Sequence, residues 1–226
     1  MKHTNKHHGF FLYLTLSCLF LSSCGVTADF IADDFQQPQN IVVLPTVNNT
    51  IDISAGDVLR SVAFVNLYNY QYGNITPVVE ADSILREAGI TDGGQLPSIS
   101  MIDLHNILEA DGILLIELEE ATYNTIGLRR EERVIHAHYS LYSFGNIMYQ
   151  HETKVEKKSR SLLGGAFDVL TDPGGALVDR LGDTGVRLVR GLFFEHDLLP
   201  EIEESINEMI LTLPGDKRLR GRRDRI

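Results

Sequence analysis

Cysteine is scarce in this sequence, and both cysteines, Cys18 and Cys24, lie near the amino terminus of a chain of 226 residues. No thiol follows them in the remainder of the chain. A domain folded from that remainder can therefore hold no disulfide bond, no CxxC redox pair and no catalytic cysteine.

Motifs that would indicate a nucleotide site or a hydrolase are also missing. The sequence contains no GxGxxG or GxxxxGKS/T run for a phosphate, and no GxSxG run for a nucleophilic serine. Glu117, Glu119 and Glu120 lie close together in the chain, but their spacing does not define an acid–base pair. We therefore expect a protein that is not an enzyme and that uses no cofactor.

Positive charge is in short supply, with 20 lysines and arginines against 31 aspartates and glutamates. Loss of Lys2 and Lys6 with an N-terminal signal would leave 18 basic against 31 acidic residues, a formal net charge of −13. Such acidity argues against nucleic acid as a partner and against a broad electrostatic contact with anionic lipid.

The one long apolar run, at residues 10–21, belongs to a pattern typical of bacterial lipoproteins. It follows Lys2 and Lys6, it is too short for a permanent membrane helix, and Leu21-Ser22-Ser23-Cys24 ends it. Small residues before a cysteine allow cleavage between Ser23 and an acylated Cys24. We therefore predict a signal peptide at residues 1–23 and a lipid anchor on Cys24 that holds the protein on a membrane.

The residues after Cys24 indicate which membrane the lipidated protein reaches and how the domain is attached to it. Gly25, rather than aspartate, follows the cysteine, which favours export to the outer membrane, so we predict the periplasmic face of that membrane. Residues 24–39 are mostly polar, and we interpret them as a lipidated tether that lets the domain stand off from the bilayer.

Apolar periodicity predicts an α/β domain at residues 40–158, with a mixed sheet, helices packed on it and an antiparallel three-stranded meander. The predicted elements are a doubly buried strand at 41–44, a helix from a Ser54 cap to Tyr68, a strand at 75–79, a helix ending at Gly89, a helix capped by Ser100 and Asp103, a strand at 112–126, a turn at 129–133, and strands at 134–144 and 147–156 joined by Gly145-Asn146.

The remainder, residues 159–214, is predicted to be a glycine-rich connector followed by C-terminal helices packed on the domain. A final helix opens at Pro200, and its apolar side contains Ile202, Ile206, Met209, Ile210 and Leu213. Apolar residues at 162–177 or 186–194 either dock on a partner or lipid, or pack internally. The basic tail at 215–226 is either a solvated terminus or a contact for anionic lipid or an acidic partner.

Three histidines fall on the predicted meander. If a tight turn at 145–146 joins its last two strands, Ser140 lies opposite His151, and His136, His138 and His151 project from the same side. Imidazoles so placed are ligands for zinc or copper, although no carboxylate is evident on that side. The alternative is a half-exposed polar face that holds no metal.

Three tyrosines, Tyr68, Tyr70 and Tyr72, cluster after the first predicted helix. Clustered tyrosines either form a partner surface or pack on their own domain, and packing is the commoner outcome.

Several short motifs occur together in a familiar order: the signal ending at Cys24, the run 41–45 with Asn48 and Asn49, the segment 110–114, and Leu213-Pro214-Gly215. With them the chain resembles the genome-derived neisserial antigen family of Gram-negative lipoproteins, a domain-of-unknown-function group. The resemblance implies an α/β domain similar to the amino-terminal domain of TolB and the periplasmic domain of the curli secretion channel CsgG. It also implies dimers or higher oligomers and, as partners, a CsgG-like lipoprotein and a second small lipoprotein.

Two functional hypotheses follow. The leading one is an outer-membrane lipoprotein that serves, without catalysis, as an oligomerising component of an envelope assembly, secretion or transport complex. The alternative is a periplasmic ligand- or metal-binding module that uses the histidines of the meander.

Overall fold

The computed structural model describes residues 26–126, 130–159 and 196–217. The predicted signal peptide, Cys24, the glycine-rich connector at 160–195 and the tail from residue 218 lie outside these described residues. Structural statements below refer to the described ranges.

Seven strands of the described chain form one mixed sheet: β1 (Phe30–Ile31), β2 (Asn40–Val43), β3 (Val47–Asn48), β4 (Asn74–Ile75), β5 (Gly112–Ile126), β6 (Arg130–Ser143) and β7 (Asn146–Ser159). Their order is β1-β7-β6-β5-β2-β4, and β3 pairs with β5 beyond the end of β2. β2 runs parallel to β4 and β5, whereas β5, β6 and β7 form an antiparallel meander. The predicted mixed sheet with a three-stranded meander is confirmed.

Strand β2 separates two hydrophobic cores. Ile41 and Val43 face one core, Val42 and Leu44 face the other, and all four are at most 1% exposed. β-branched residues suit a strand covered on both sides, and such a strand needs helices on both faces of the sheet. The prediction of a doubly buried strand here is confirmed.

Four α-helices cover the two faces within the described ranges: α1 (Ile53–Asn69), α2 (Val78–Glu87), α3 (Met101–Leu108) and α4 (Leu199–Thr212). α1 and α4 pack on one face, together with the buried side of β6 and β7. α2, α3 and a 3-10 helix at Gly93–Ser98 cover the other face over β2 and the start of β5. The predicted C-terminal helix is confirmed, with Ile202, Ile206 and Met209 fully buried.

The local boundaries differ from the sequence prediction at several points. Asp52, not Ser54, caps α1, because its side chain accepts hydrogen bonds from the backbone N–H groups of Ser54 and Ala55. The strand predicted at 75–79 ends at Ile75, since Pro77 precedes the first turn of α2. Residues 130–133, predicted as a turn, lie in β6.

The predicted tether at 24–39 is wrong for residues 29–39, which are part of the folded body. β1 pairs antiparallel with β7, and the buried Pro38 lies where it would block any side chain at Gly112. The Gln39 and Asn40 N–H groups donate to the carboxylate of Asp111 at 3.0 and 2.6 Å. The sequence prediction rested on the overall polarity of this segment. It missed the edge strand, because a strand of two residues has no periodic pattern of apolar residues.

A buried hydroxyl network joins α4 to the meander. The Ser205 hydroxyl, which is fully buried, bonds to the Tyr139 hydroxyl at 2.5 Å and also to the hydroxyl of Thr153. Nearby, the Tyr149 hydroxyl bonds to Thr212 at 2.7 Å. Polar groups in a dry interface must be paired, so these contacts fix the position of α4 on the sheet.

We predict that Ser205→Ala lowers the free energy of unfolding by about 1–3 kcal/mol, because two buried hydroxyls lose their common partner. Urea unfolding followed by circular dichroism measures this change. Ser83→Ala is the matched control, since the same substitution then falls on an exposed position of α2. Equal unfolding midpoints for the two variants would contradict the assigned role of the network.

Candidate functional site

The turn between β6 and β7 sets the positions of the histidines. It consists of Phe144 and Gly145, both in the left-handed region with φ of +46° and +84°, and Ser143 pairs with Asn146. The predicted turn at 145–146 is displaced by one residue, which alone would pair His151 with His138 and keep both on one face. A bulge opposite Leu141 and Tyr142 leaves Met148 unpaired on β7, and this one extra residue reverses the face to which His151 points.

With this register His151 pairs with Tyr139, not with Ser140. His151 is only 5% exposed and lies on the face that α4 covers. The prediction that it shares a side with His136 and His138 is wrong. Its neighbour Glu152 lies on the open face instead, opposite His138, so the prediction that no carboxylate lies there is also wrong.

Two histidines and a carboxylate come together on this open face. His136 Nε2 lies 2.7 Å from one oxygen of Glu152, and His138 Nδ1 lies 3.8 Å from the other. The two imidazole rings have centroids 5.1 Å apart, and one ligand atom from each of the three residues fits within 4.8 Å of the others. We call His136, His138 and Glu152 the histidine cluster.

Strand β5 adds acidic residues beside the histidine cluster. Glu117 pairs with His138, and Glu120 pairs with His136 across the strands. Glu120 also lies 3.9 Å from Lys154, the neighbour of His136 on β7. Two imidazoles and a carboxylate form a donor set that suits zinc and related divalent ions. The His136–Glu152 contact also satisfies both side chains without an ion, so the geometry alone is compatible with a structural pair.

The three clustered tyrosines differ in their exposure. Tyr72 is fully buried, and its hydroxyl donates to the carbonyl of Pro214 at 2.5 Å, so of the two alternatives Tyr72 follows packing on the domain, the one that the sequence favoured. Tyr70 is half-buried and packs against the core that α1 and α4 cover. Tyr68 alone is well exposed, at 44%, with its ring 6.1 Å from that of Phe64.

An apolar surface that sequence reasoning missed lies at the end of the hairpin. Phe144 is 69% exposed, Ile102 at the start of α3 is 59% exposed, and Ile147 at the start of β7 is 38% exposed. Ile102 lies so close to Gly145 that a Cβ there would come within 2.6 Å of it. We call Ile102, Phe144 and Ile147 the hairpin-tip surface.

A buried histidine holds the hairpin-tip surface in place. His105 is 4% exposed, its Nδ1 bonds to the carbonyl of Met101 at 2.7 Å, and its Nε2 accepts the Phe144 N–H at 3.0 Å. This pairing requires the tautomer with the proton on Nδ1, because the carbonyl can only accept. The Phe144 ring also stacks on the imidazole with centroids 5.8 Å apart.

A polar cleft of about 490 Å³ lies beyond the carboxyl end of β2, and its lining includes Thr46, Asn48, Arg60, Asp82 and Arg86. Arg60 Nε donates to the Val43 carbonyl at 3.0 Å and Nη1 to Asp82 at 2.7 Å, while Nη2 is buried without a hydrogen-bond partner among the described residues. The described lining contains no histidine, cysteine or lysine, so it pairs no nucleophile with such a base. No local sequence motif predicts this cleft.

A family model described as "Putative lipoprotein GNA1162-like" matches residues 28–159. The matched segment begins beside β1 and ends with β7, so it covers the whole sheet. No curated protein matches the chain. Within the described residues, no helix has the length and apolar character needed to cross a membrane.

The crystal structure of lipoprotein GNA1162 from Neisseria meningitidis shares this fold. It is 17% identical, with a TM-score of 0.51, and the match covers 65% of this chain and all of that one. A PelC dodecamer from Paraburkholderia phytofirmans is 18% identical over 58% of this chain and 81% of its own, with a TM-score of 0.39. The C-terminal domain of LpoB from Salmonella enterica is 15% identical over 56% and 88%, with a TM-score of 0.36. At 17% identity the likeness to the neisserial lipoprotein shows a shared fold alone.

The environment of His151 generates a pH prediction. Burial lowers the pKa of His151, and the carboxylate of Asp29, 3.3 Å from Nδ1, opposes part of this effect. Neither ring nitrogen has a hydrogen bond of good geometry. The folded protein therefore binds a proton at His151 less readily than the unfolded chain does. The neutral imidazole contributes stability at pH values above the ordinary histidine pKa, and this stability is lost as the pH falls.

We predict that the free energy of unfolding falls between about pH 7 and pH 5, and that it falls less in His151→Gln. Urea titrations at several pH values measure the slope. His138→Gln is the control, because that half-exposed side chain lies on the opposite face. An unchanged slope in His151→Gln would show that the buried imidazole is not the group responsible.

Proposed function

Because this chain belongs to the GNA1162-like lipoprotein family, we propose that it is a lipid-anchored, non-catalytic component of an assembly or transport complex of the cell envelope. Cys24 carries the lipid, and the folded domain occupies the periplasmic face of the outer membrane. The domain binds other proteins there: a second copy of itself, a CsgG-like lipoprotein and a second small lipoprotein. The family membership and the N-terminal signal support the anchor.

The observation that carries the binding role is the hairpin-tip surface. Its centre is a phenyl ring that is 69% exposed on a residue with φ of +46°. The left-handed region disfavours phenylalanine and favours glycine or asparagine, so the local backbone does not explain the residue. Little of the ring is removed from water by the protein itself, so core packing does not explain it either.

Binding to a partner accounts for both features. A single exposed aromatic residue, held in a fixed direction by His105 and flanked by Ile102 and Ile147, has the form of an interface anchor. Such anchors contribute most of the binding energy when they enter a pocket on the partner. A pre-ordered anchor also loses little conformational entropy on association. We assign the CsgG-like lipoprotein to this surface.

We predict that Phe144→Asn abolishes capture of the CsgG-like partner from native membranes while the domain stays folded. Asparagine tolerates the left-handed conformation, so the variant should be at least as stable as the unmodified protein. Affinity capture followed by mass spectrometry measures the first effect, and thermal unfolding measures the second.

Val79→Ala is the matched control, because Val79 is 83% exposed on α2 and is not part of the hairpin-tip surface. It should retain the partner. Undiminished recovery of the CsgG-like lipoprotein with Phe144→Asn would reject the hairpin tip as its binding surface, and recovery of this lipoprotein alone in every sample would reject the assembly role.

A second candidate function, metal binding, is favoured by the presence of Glu152 between His136 and His138. The three donors lie on adjacent strands of a hydrogen-bonded sheet, which fixes their spacing better than a loop would. Glu117 and Glu120 on β5 supply negative charge next to the imidazoles, which favours a cation. The module would hold one divalent ion of zinc type on the open face of the meander.

We predict that a protein prepared without an affinity tag binds one more zinc ion than the His136→Ala, His138→Ala double variant. Calorimetric titration measures the difference, and the affinity should fall on acidification, because metal and proton compete for the imidazoles. Glu156→Gln is the control, since Glu156 is exposed on β7 and lies outside the cluster. Equal stoichiometry in the unmodified protein and the double variant would exclude the site.

A further inference from the structure

The N-terminal end of the described chain is fixed to the edge of the sheet. The Asp29 N–H donates to the Gln150 carbonyl at 3.1 Å, and the Asp29 carboxylate accepts the Glu152 N–H at 2.6 Å. The Ala32 N–H donates to the Met148 carbonyl at 2.9 Å, which completes the attachment of β1 to β7. Asp29 therefore moves with the domain.

Only a short segment separates this fixed point from the proposed lipid. From Cys24 to Asp29 the chain advances five residues, which at full extension span at most roughly 17 Å. A free tether running to residue 39 would instead have reached about 50 Å. The attachment of β1 therefore removes most of the distance by which the domain could stand off from the bilayer.

This length limits the orientation of the domain. β1 and β4 are the two edges of the sheet and lie five strand spacings apart along the sheet order, or about 24 Å at ~4.8 Å per spacing. An upright orientation with β4 on the membrane would place β1 about 24 Å from it, beyond the roughly 17 Å that the segment allows. Of the two edges of the sheet, the one at β1 is therefore the one that the short segment keeps near the lipid.

The residues at that edge suit an apolar contact. Val26, Phe30 and Ile31 are 53%, 44% and 43% exposed. The lysines of β7 do not offer free positive charge, because Lys154, Lys157 and Lys158 each lie within 4.0 Å of a glutamate carboxylate. The apolar side chains suit the boundary between headgroups and acyl chains, and the exposed Asp33 and Asp34 of the same segment make an anionic surface unsuitable.

We infer that the β1–β7 edge is a membrane-docking surface, on which Val26, Phe30 and Ile31 enter the outer part of the lipid layer next to the acylated Cys24. This inference rests on the proposed lipidation of Cys24. The occupant is the bilayer itself. The short covalent connection holds the edge at the lipid, and the three apolar side chains enter the lipid only while it does so.

The absence of tryptophan from the sequence allows a direct test. Phe30→Trp introduces a single indole at the docking edge, and Val79→Trp introduces one on α2, beside the opposite edge strand β4. Each full-length protein is processed in cells, purified in detergent and reconstituted into phosphatidylcholine vesicles. One vesicle preparation contains lipids brominated near the top of the acyl chains, which quench nearby indoles.

The indole of Phe30→Trp should be quenched roughly twofold by brominated lipid, because an interfacial residue lies at the headgroup–acyl boundary. The indole of Val79→Trp should be unaffected, and the quenching of Phe30→Trp should not depend on salt. A flexible Gly/Ser spacer placed between Gly25 and Val26 should relieve the quenching of Phe30→Trp while the protein still floats with the vesicles. Persistent quenching with the spacer would overturn the role of the short connection.

Flotation and the mass of the mature protein separate this inference from the proposed function. A lipidated protein that floats with the vesicles, but whose Phe30→Trp indole is not quenched, would overturn the docking edge and leave the anchor intact. A mature protein without acyl chains that fails to float would overturn the anchor, and the docking edge with it.

Discussion

The pairing register of β6 and β7 is the constraint on which the rest of the surface chemistry depends. A two-residue turn at Phe144-Gly145 and a bulge at Leu141 and Tyr142 together decide which side chains of β7 face α4 and which face solvent. They bury His151, expose Glu152 beside two histidines, and leave the backbone of β7 open where Asp29 attaches. A different register would move these side chains to other faces, and the histidine cluster, the hairpin-tip surface and the proposed docking edge would all be lost.

Much of the fold was predictable because it follows from strong periodic signals. The doubly buried β2, the amphipathic C-terminal helix and the long strands of the meander each carry several apolar residues at the expected spacing. The placement of the histidines was not predictable, because it depends on one unpaired residue, Met148, at a bulge next to the turn. Gly145-Asn146 has the composition of a tight turn, yet the chain turns one residue earlier, with Phe144 in a conformation that its side chain disfavours.

Two further features that the sequence did not predict, the edge strand β1 and the polar cleft, have a related cause. β1 and the cleft beyond β2 are assembled from segments far apart in the chain, so no local pattern marks them. Tyr72 illustrates the same limit: the sequence favours its packing on the domain, but it does not show that the distant Pro214 carbonyl accepts its hydroxyl. The family match and the shared fold of the neisserial lipoprotein confirm the architecture, while the surfaces of this chain must be argued from its own residues.

The attachment of the N-terminal segment to the edge of the sheet also has a mechanical consequence. If Cys24 is anchored as proposed, tension on the N-terminal end reaches β1 before it reaches β2, because β1 is the first element of the described chain. Detachment of residues 29–39 would release ten further residue spacings of chain, roughly 35 Å of slack, before β2 carried any load. A two-residue strand held by a few hydrogen bonds would thus yield first, and the packed Phe35 and Pro38 would leave the body before β2 is reached.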